Sequence, residues 1–221
     1  MTRPALTLVA LLWAATAVAH EGAAPGAPPG AAPPLFDLPD AGSYELPVID
    51  RVGEHRLLTS EGNSEPLLDL SPDGCALVAF IYLSCTDASG CPLSLATLQR
   101  TDRMLAARPE LRDRVRLVTV SFDPARDGPE QMASMRRHMD PKGDWRFLTA
   151  PDAVALSPVL EDYGQNAVPL LTANGKETGL MRHVVKVFLV DGQGGIRNVY
   201  STGYLDHRVL LLDVETLLLG E

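Results

Sequence analysis

The sequence predicts a three-layer α/β domain, and three observations carry that expectation. Two apolar runs, residues 76–83 and 115–121, read as strands covered on both faces. Each is followed by a stretch with apolar residues at helical spacing. Late in the chain, residues 184–190 and 196–200 flank the turn Asp191-Gly192-Gln193-Gly194-Gly195, which predicts a hairpin with an antiparallel edge. Alternating strands and helices pair in parallel through right-handed crossovers.

Before the domain, Arg3 supplies a positive start, residues 5–18 an apolar stretch, and Ala17-Val18-Ala19 a small-x-small cleavage signal. That stretch is too short for a membrane span of about 20 residues. Residues 1–19 therefore read as a cleaved signal peptide, with the mature chain starting at His20 and sent to the periplasm or another extracytoplasmic space. An uncleaved signal acting as a tether is the alternative. No cysteine lies near the cut, which argues against a lipoprotein anchor. Residues 20–34 form a spacer rich in Pro, Gly and Ala, and the domain is expected over 35–221.

Within the domain, residues 46–49 and 55–59 read as short strands around a turn-rich piece, an N-terminal β-hairpin. A helix is expected over 92–107, stopping at Arg108-Pro109. Asp127-Gly128-Pro129-Glu130 reads as a capping box opening a helix to about Met139, with Asp127 as N-cap. Residues 145–148 suggest a strand and 152–163 a helix. Asp206 caps a last helix through Leu219, so a C-terminal hairpin plus helix closes the chain. A strand leading to a cysteine pair at a helix start, then a βα unit and this ending, is a thioredoxin-like plan.

Of the 221 residues, 46% are hydrophobic and 21% charged, which suits one soluble domain. The net charge of -9 argues against nucleic acid and against anionic lipid surfaces. Membrane association is expected only through a client or an uncleaved signal. Three cysteines cannot all pair within one chain. They suit a working pair plus a bystander, and Cys75, leading into the first central strand, reads as the buried bystander.

Cys85 and Cys91 sit where the first central strand stops and a helix starts. A thiol at a helix N-terminus feels the positive end of the dipole and unpaired amides, which favour the thiolate and lower its pKa. The loop Cys85-Thr86-Asp87-Ala88-Ser89-Gly90-Cys91 suits either a disulfide or two sulfurs on one metal ion. Two thiolates and an imidazole suit Cu(I). His183, expected at the head of the strand 184–190, is the natural third donor, on the strand-end face where ligands gather in open α/β sheets.

The strand and cysteine loop, the segment Asp123-Pro124-Ala125-Arg126-Asp127-Gly128-Pro129-Glu130, and His183 ahead of Val-Phe-Leu-Val-Asp-Gly together resemble the Sco/SenC family of thioredoxin-like copper chaperones for cytochrome oxidase assembly. The resemblance covers about residues 38–219. It implies binding of copper, as Cu(I) or Cu(II), by Cys85, Cys91 and His183. It also implies delivery to the dinuclear copper site of an oxidase subunit or a similar client, or reduction of that site's thiols. In the family the cysteines usually stand closer, with a loop two residues shorter and a proline after the first cysteine.

The chain is thus expected to be a metallochaperone rather than an enzyme. The enzymatic alternative is a thiol–disulfide oxidoreductase with Cys85 and Cys91 as catalytic residues; a permanent disulfide across the loop is the structural one. Asp123 reads equally as a site-orienting residue or as part of a turn. Met132, Met135 and Met139 lie at helical spacing; thioethers can ferry Cu(I), but a core-facing stripe is the commoner use of such a pattern. His55, His138 and His207 are expected to be surface imidazoles, and His20, once terminal, is a weaker candidate for Cu(II).

Overall fold

The structure, a computed structural model, describes residues 37–220. The expected signal peptide, the spacer and His20 lie outside the described residues. The first half comprises β1 (Asp50–Arg51), β2 (Arg56–Thr59), β3 (Ser64–Pro66), β4 (Cys75–Ile81), α1 (Cys91–Ala106), α2 (Pro109–Arg112) and β5 (Val115–Ser121). There follow α3 (Pro129–Met139), β6 (Trp145–Thr149), α4 (Ala153–Asp162), β7 (Val168–Leu171), β8 (Glu177–Arg182), β9 (Lys186–Asp191), β10 (Gly195–Ser201) and α5 (His207–Leu219). Eight strands form one sheet in the order β1-β10-β9-β4-β5-β6-β2-β3, and β7 pairs with β8 in a sheet of their own.

Strand β4 is buried at every position, parallel to β5 on one side and antiparallel to β9 on the other. Successive side chains leave a strand on opposite faces, so burial throughout requires cover on both. On one face Phe80 meets Tyr163, at the end of α4, with ring centroids 5.0 Å apart, and Phe188 of β9 at 6.1 Å. Helix α1 buries Leu95, Leu98 and Leu105 and packs beside α5. Cys75 is fully buried at the start of β4.

The ends of the sheet differ from the expected arrangement. Residues 46–49 form no strand; the pairing segment is β1, bound to β10 at one edge, with the Ile49 amide donating to Ile196 O at 2.8 Å. The N-terminal hairpin is instead β2 with β3, at the opposite edge, where β2 also joins β6. Between them the chain crosses the domain, held by Asp162, whose carboxylate accepts from the Gly53 amide at 2.7 Å and meets His55 Nε2 at 2.8 Å. The β7–β8 hairpin was absent from the sequence reading. Its turn is closed by the Lys176 amide donating to Thr172 Oγ1 at 3.0 Å, with Gly175 at φ +80°. Strand β9 starts at Lys186 rather than 184, so His183 lies in the link between this hairpin and the sheet.

Asp191 shapes the β9–β10 turn. Its buried carboxylate accepts from the Gln193 and Gly195 amides at 2.9 and 2.7 Å and from Arg197 Nε at 2.6 Å. Burial pushes its pKa up, but the Arg197 and amide hydrogen bonds outweigh burial and hold it below the usual 3.8. A folded-state value below the unfolded one gives stability that is present above 3.8 and lost as pH falls through the folded value. Asp191→Asn should therefore cost about 3 kcal/mol near neutral pH, as for breaking a buried ion pair. The gap to the unmutated chain should narrow below pH 3.8, measured by urea denaturation across pH.

Candidate metal centre

Cys91 is the first residue of α1, behind Gly90 as N-cap and ahead of Pro92. It is only 2% exposed, and its Sγ lies 3.6 Å from His183 Nε2, 92 residues along the chain. Bonds of about 2.3 Å to sulfur and about 2.0 Å to nitrogen would set two ligands of one tetrahedral ion about 3.5 Å apart, so this separation fits a shared metal. His183 is clamped by aromatic rings: Tyr82 edge-on at 5.5 Å and Phe122 tilted at 4.9 Å, with Tyr82 and Phe122 themselves 5.2 Å apart. The other ring nitrogen, Nδ1, is buried without a hydrogen-bond partner among the described residues. Ring packing, rather than a second hydrogen bond, sets the imidazole's orientation.

Cys85 is half-buried on the loop, with its amide donating to Tyr82 O at 3.2 Å. Its side chain lines the same cleft as Tyr82 and Cys91, and the Tyr82 hydroxyl accepts from the Met181 amide at 3.5 Å. Both cysteines are thiols in this structure. Among the described residues, no three His, Cys, Asp or Glu side chains stand as a finished metal cluster. What the fold sets is the Cys91–His183 pair with Cys85 beside it.

The expected thiolate at Cys91 is corrected. Burial, together with the neighbouring Cys85, pushes the Cys91 thiol up to about 12, against the lowering effect of the Tyr82 and Cys91 amides. The helix terminus loses to desolvation here because the sulfur faces side chains rather than water. Exposed Asp87 shows the opposite sign: hydrogen bonds from Ser89, and to a lesser degree the charge of His183, hold its carboxyl below the usual range.

The expected cap at Asp127 is also corrected. Gly128 is the N-cap of α3 and makes no side-chain cap. Asp127, 4% exposed, instead accepts from the Leu83 amide at 2.9 Å and the Ser121 hydroxyl at 2.7 Å. Burial raises its carboxyl above the ordinary range, and these bonds oppose the rise. Asp123 does take part in a turn, with its carbonyl accepting from the Arg126 and Asp127 amides. Its carboxylate meets Arg126 Nε at 2.6 Å, and Arg126 reaches Glu177 on β8 at 3.9 Å.

A protein-family model described as SCO1/SenC matches residues 52–219. The chain belongs to the SCO1/SenC family. No curated protein sequence matches it. Among solved structures, this SCO1/SenC chain is similar to Arabidopsis thaliana ScoI with copper bound, at 19% identity and TM-score 0.64, covering 77% of this chain and 99% of that one. Bradyrhizobium japonicum ScoI with copper bound is 24% identical, with a TM-score of 0.58 and coverage of 74% and 98%. BsSco, a member of the Sco family of cytochrome c oxidase assembly proteins described with a disulfide switch, is 20% identical, with a TM-score of 0.61 and coverage of 80% and 99%. The shared architecture is the thioredoxin-like fold of Sco proteins.

Sequence reasoning missed the supports of this SCO1/SenC site: Tyr82, Phe122 and the tertiary role of Asp127. Aromatics at strand ends beside a cysteine loop were the available signal for the first two. Asp127→Ala should leave the buried Leu83 amide without an acceptor and cost about 1–3 kcal/mol. Urea denaturation should show the loss, and the Leu83 amide should exchange faster with solvent, while amides inside β4 keep most of their protection.

Proposed function

We propose that this chain is an exported copper chaperone, in which Cys85, Cys91 and His183 hold one copper ion as cargo. The observation that carries the reading is the 3.6 Å approach of Cys91 Sγ to His183 Nε2, with Cys85 lining the same cleft. Two sulfurs and an imidazole form a soft donor set suited to Cu(I), and imidazole also accommodates Cu(II). The copper-bound ScoI relatives from Arabidopsis and Bradyrhizobium support the choice of metal. The signal pattern at residues 1–19 supports a periplasmic or similar location, with the spacer at 20–34 leading into the domain at 35–221.

In this reading Cys91 and His183 form the standing part of the site, and Cys85 closes on the ion from the loop. Loading releases thiol protons, so it requires the reduced pair. Cargo leaves by ligand exchange, as an acceptor's thiols or imidazoles replace these donors in turn. An acceptor in the dinuclear copper site of a cytochrome oxidase fits that chemistry, as the description of BsSco's family supports. Reduction of that site's disulfide by the same two thiols is the second reading. It would need Cys85 as the attacking thiol, because Cys91 is 2% exposed.

Anaerobic titration of the reduced mature chain with Cu(I) should give about one ion per chain, held against a competing chelator. His183→Ala should lower the affinity by at least about tenfold, in the range found when a metal site loses a supporting group. Its rate of thiol–disulfide exchange should remain close to that of the unmutated protein. A variant that binds copper as tightly as the parent but exchanges disulfides more slowly would overturn the chaperone reading in favour of the oxidoreductase.

A further inference from the structure

The cleft beside the cysteine pair, about 260 Å³, is walled on its far side by α3, which turns Met135, His138 and Met139 toward the same space as Cys85 and Cys91. The three α3 residues lie at i, i+3 and i+4, one face of one helix. Met139 is 9% exposed and Met135 half-buried, so the thioethers line the wall, while His138 is exposed at the rim. The wall is fixed against the helix that Cys91 opens: Gln99 Nε2 on α1 donates to Met139 O at 2.8 Å.

The histidines differ in what they touch. His55 Nε2 meets Asp162 at 2.8 Å, His207 Nδ1 meets Asp206 at 3.5 Å, and His183 Nε2 meets Cys91. Of the four described histidines, His138 is the one that makes no hydrogen bond or ion pair with a described residue. An imidazole with open ring nitrogens, beside a thioether on a cleft that two thiols also line, is a donor set without a structural use. Arg136 and Arg137 precede it on the helix; both are exposed, and Arg136 acts on Glu61 away from the cleft.

We propose that Met135 and His138 form a low-affinity docking point for Cu(I), through which the ion passes on its way to and from the cysteine pair. The inference rests on the copper reading above and adds a route to it. Thioether and imidazole are neutral donors that accept Cu(I) without releasing a proton and hold it less firmly than a thiolate pair. An ion moving between the two sets exchanges one neutral or thiolate ligand at a time, with no change of oxidation state and no bare ion in water.

Two measurements on the full mature chain test the proposal. In a Cys85→Ser/Cys91→Ser variant, Ag(I) serves as a redox-inert probe of soft donors, followed by NMR of carbon-13-labelled methionine methyls. The Met135 methyl should shift saturably and well beyond those of Met104 and Met181, and the shift should vanish when Met135→Leu and His138→Ala are added. With the cysteines intact, Met135→Leu/His138→Ala should keep the parent's copper stoichiometry and affinity, while transfer of Cu(I) to bathocuproine disulfonate slows about tenfold, a change in rate rather than in equilibrium. An unshifted Met135 methyl, or an unchanged transfer rate, would overturn the docking point. A parent chain that holds no copper would overturn the chaperone reading instead, and the Ag(I) result would still decide the docking point. Met135→Leu conserves side-chain volume and His138 is exposed, so a folded variant is expected, verified by thermal melting.

Discussion

Asp127 receives the Leu83 amide and the Ser121 hydroxyl on one carboxylate oxygen, and so ties the exit of β4 to the exit of β5 where both strands end. A buried carboxylate is costly unless its lone pairs are used. Here it is used at the one place where the backbone leaves the sheet to become the cysteine loop. Beyond Leu83 the loop is held by short-range bonds, Cys85 to Tyr82 and the turn around Asp87, and by one longer reach, the Ser84 hydroxyl donating to Gly179 O at 3.4 Å. The direction in which Cys85 leaves the sheet therefore depends on a side chain 42 residues further along. The Asp123–Arg126–Glu177 chain of charges extends the same loop toward β8, so the segment that supports the cysteines also reaches the hairpin that precedes His183.

The sheet explains why residues so far apart in sequence meet. β4 and β5 are parallel, so their C-terminal ends share an edge; β9 is antiparallel to β4, so its N-terminal end arrives at that same edge. Continuing the Ala79↔Val187 register by four residues sets His183 across from Leu83. Three adjacent strands thus deliver Tyr82, Phe122 and His183 to one spot, and α1 brings Cys91 back over it. The rings around His183 contribute about 0.5–1.5 kcal/mol for each favourable pair. That packing offsets part of the cost of an unpartnered buried Nδ1, about 1–3 kcal/mol.

Most of the core was legible in the sequence because its signals are local. Residues 76–83 and 115–121 are continuous apolar runs, and the α1 stretch has clear helical spacing up to Arg108-Pro109. The β7–β8 hairpin was not, although Asn174-Gly175 is a turn signal, because Val168, Leu170, Leu171 and Leu180 are all exposed and show no alternation of burial. Asp127 was misread for a different reason. A capping box and a tertiary anchor look alike over four residues, and the decisive partners, Leu83 and Ser121, lie elsewhere in the chain. The thiolate expectation for Cys91 failed in the same way: the helix start is a local fact, whereas the burial that outweighs it is set by His183, Tyr82 and the packing of α1.

The loop between the cysteines, two residues longer than is usual in the family, is accommodated by a compact turn. Asp87 Oδ1 accepts from the Ser89 amide at 2.9 Å and the Ser89 hydroxyl at 2.7 Å, and the Gly90 amide returns to Asp87 O at 2.8 Å. Such Asx turns take up chain length without moving the ends apart. Gly90 closes the turn where a Cβ would come within 3.1 Å of Asp87 O and 3.2 Å of Cys85 Sγ. The first sulfur therefore lies against the start of the helix that the second one opens. The added length need not part the sulfurs in this arrangement: Ala88 and Ser89 stand exposed on the turn, and the absence of a side chain at 90 leaves room for Cys85 Sγ against the helix start.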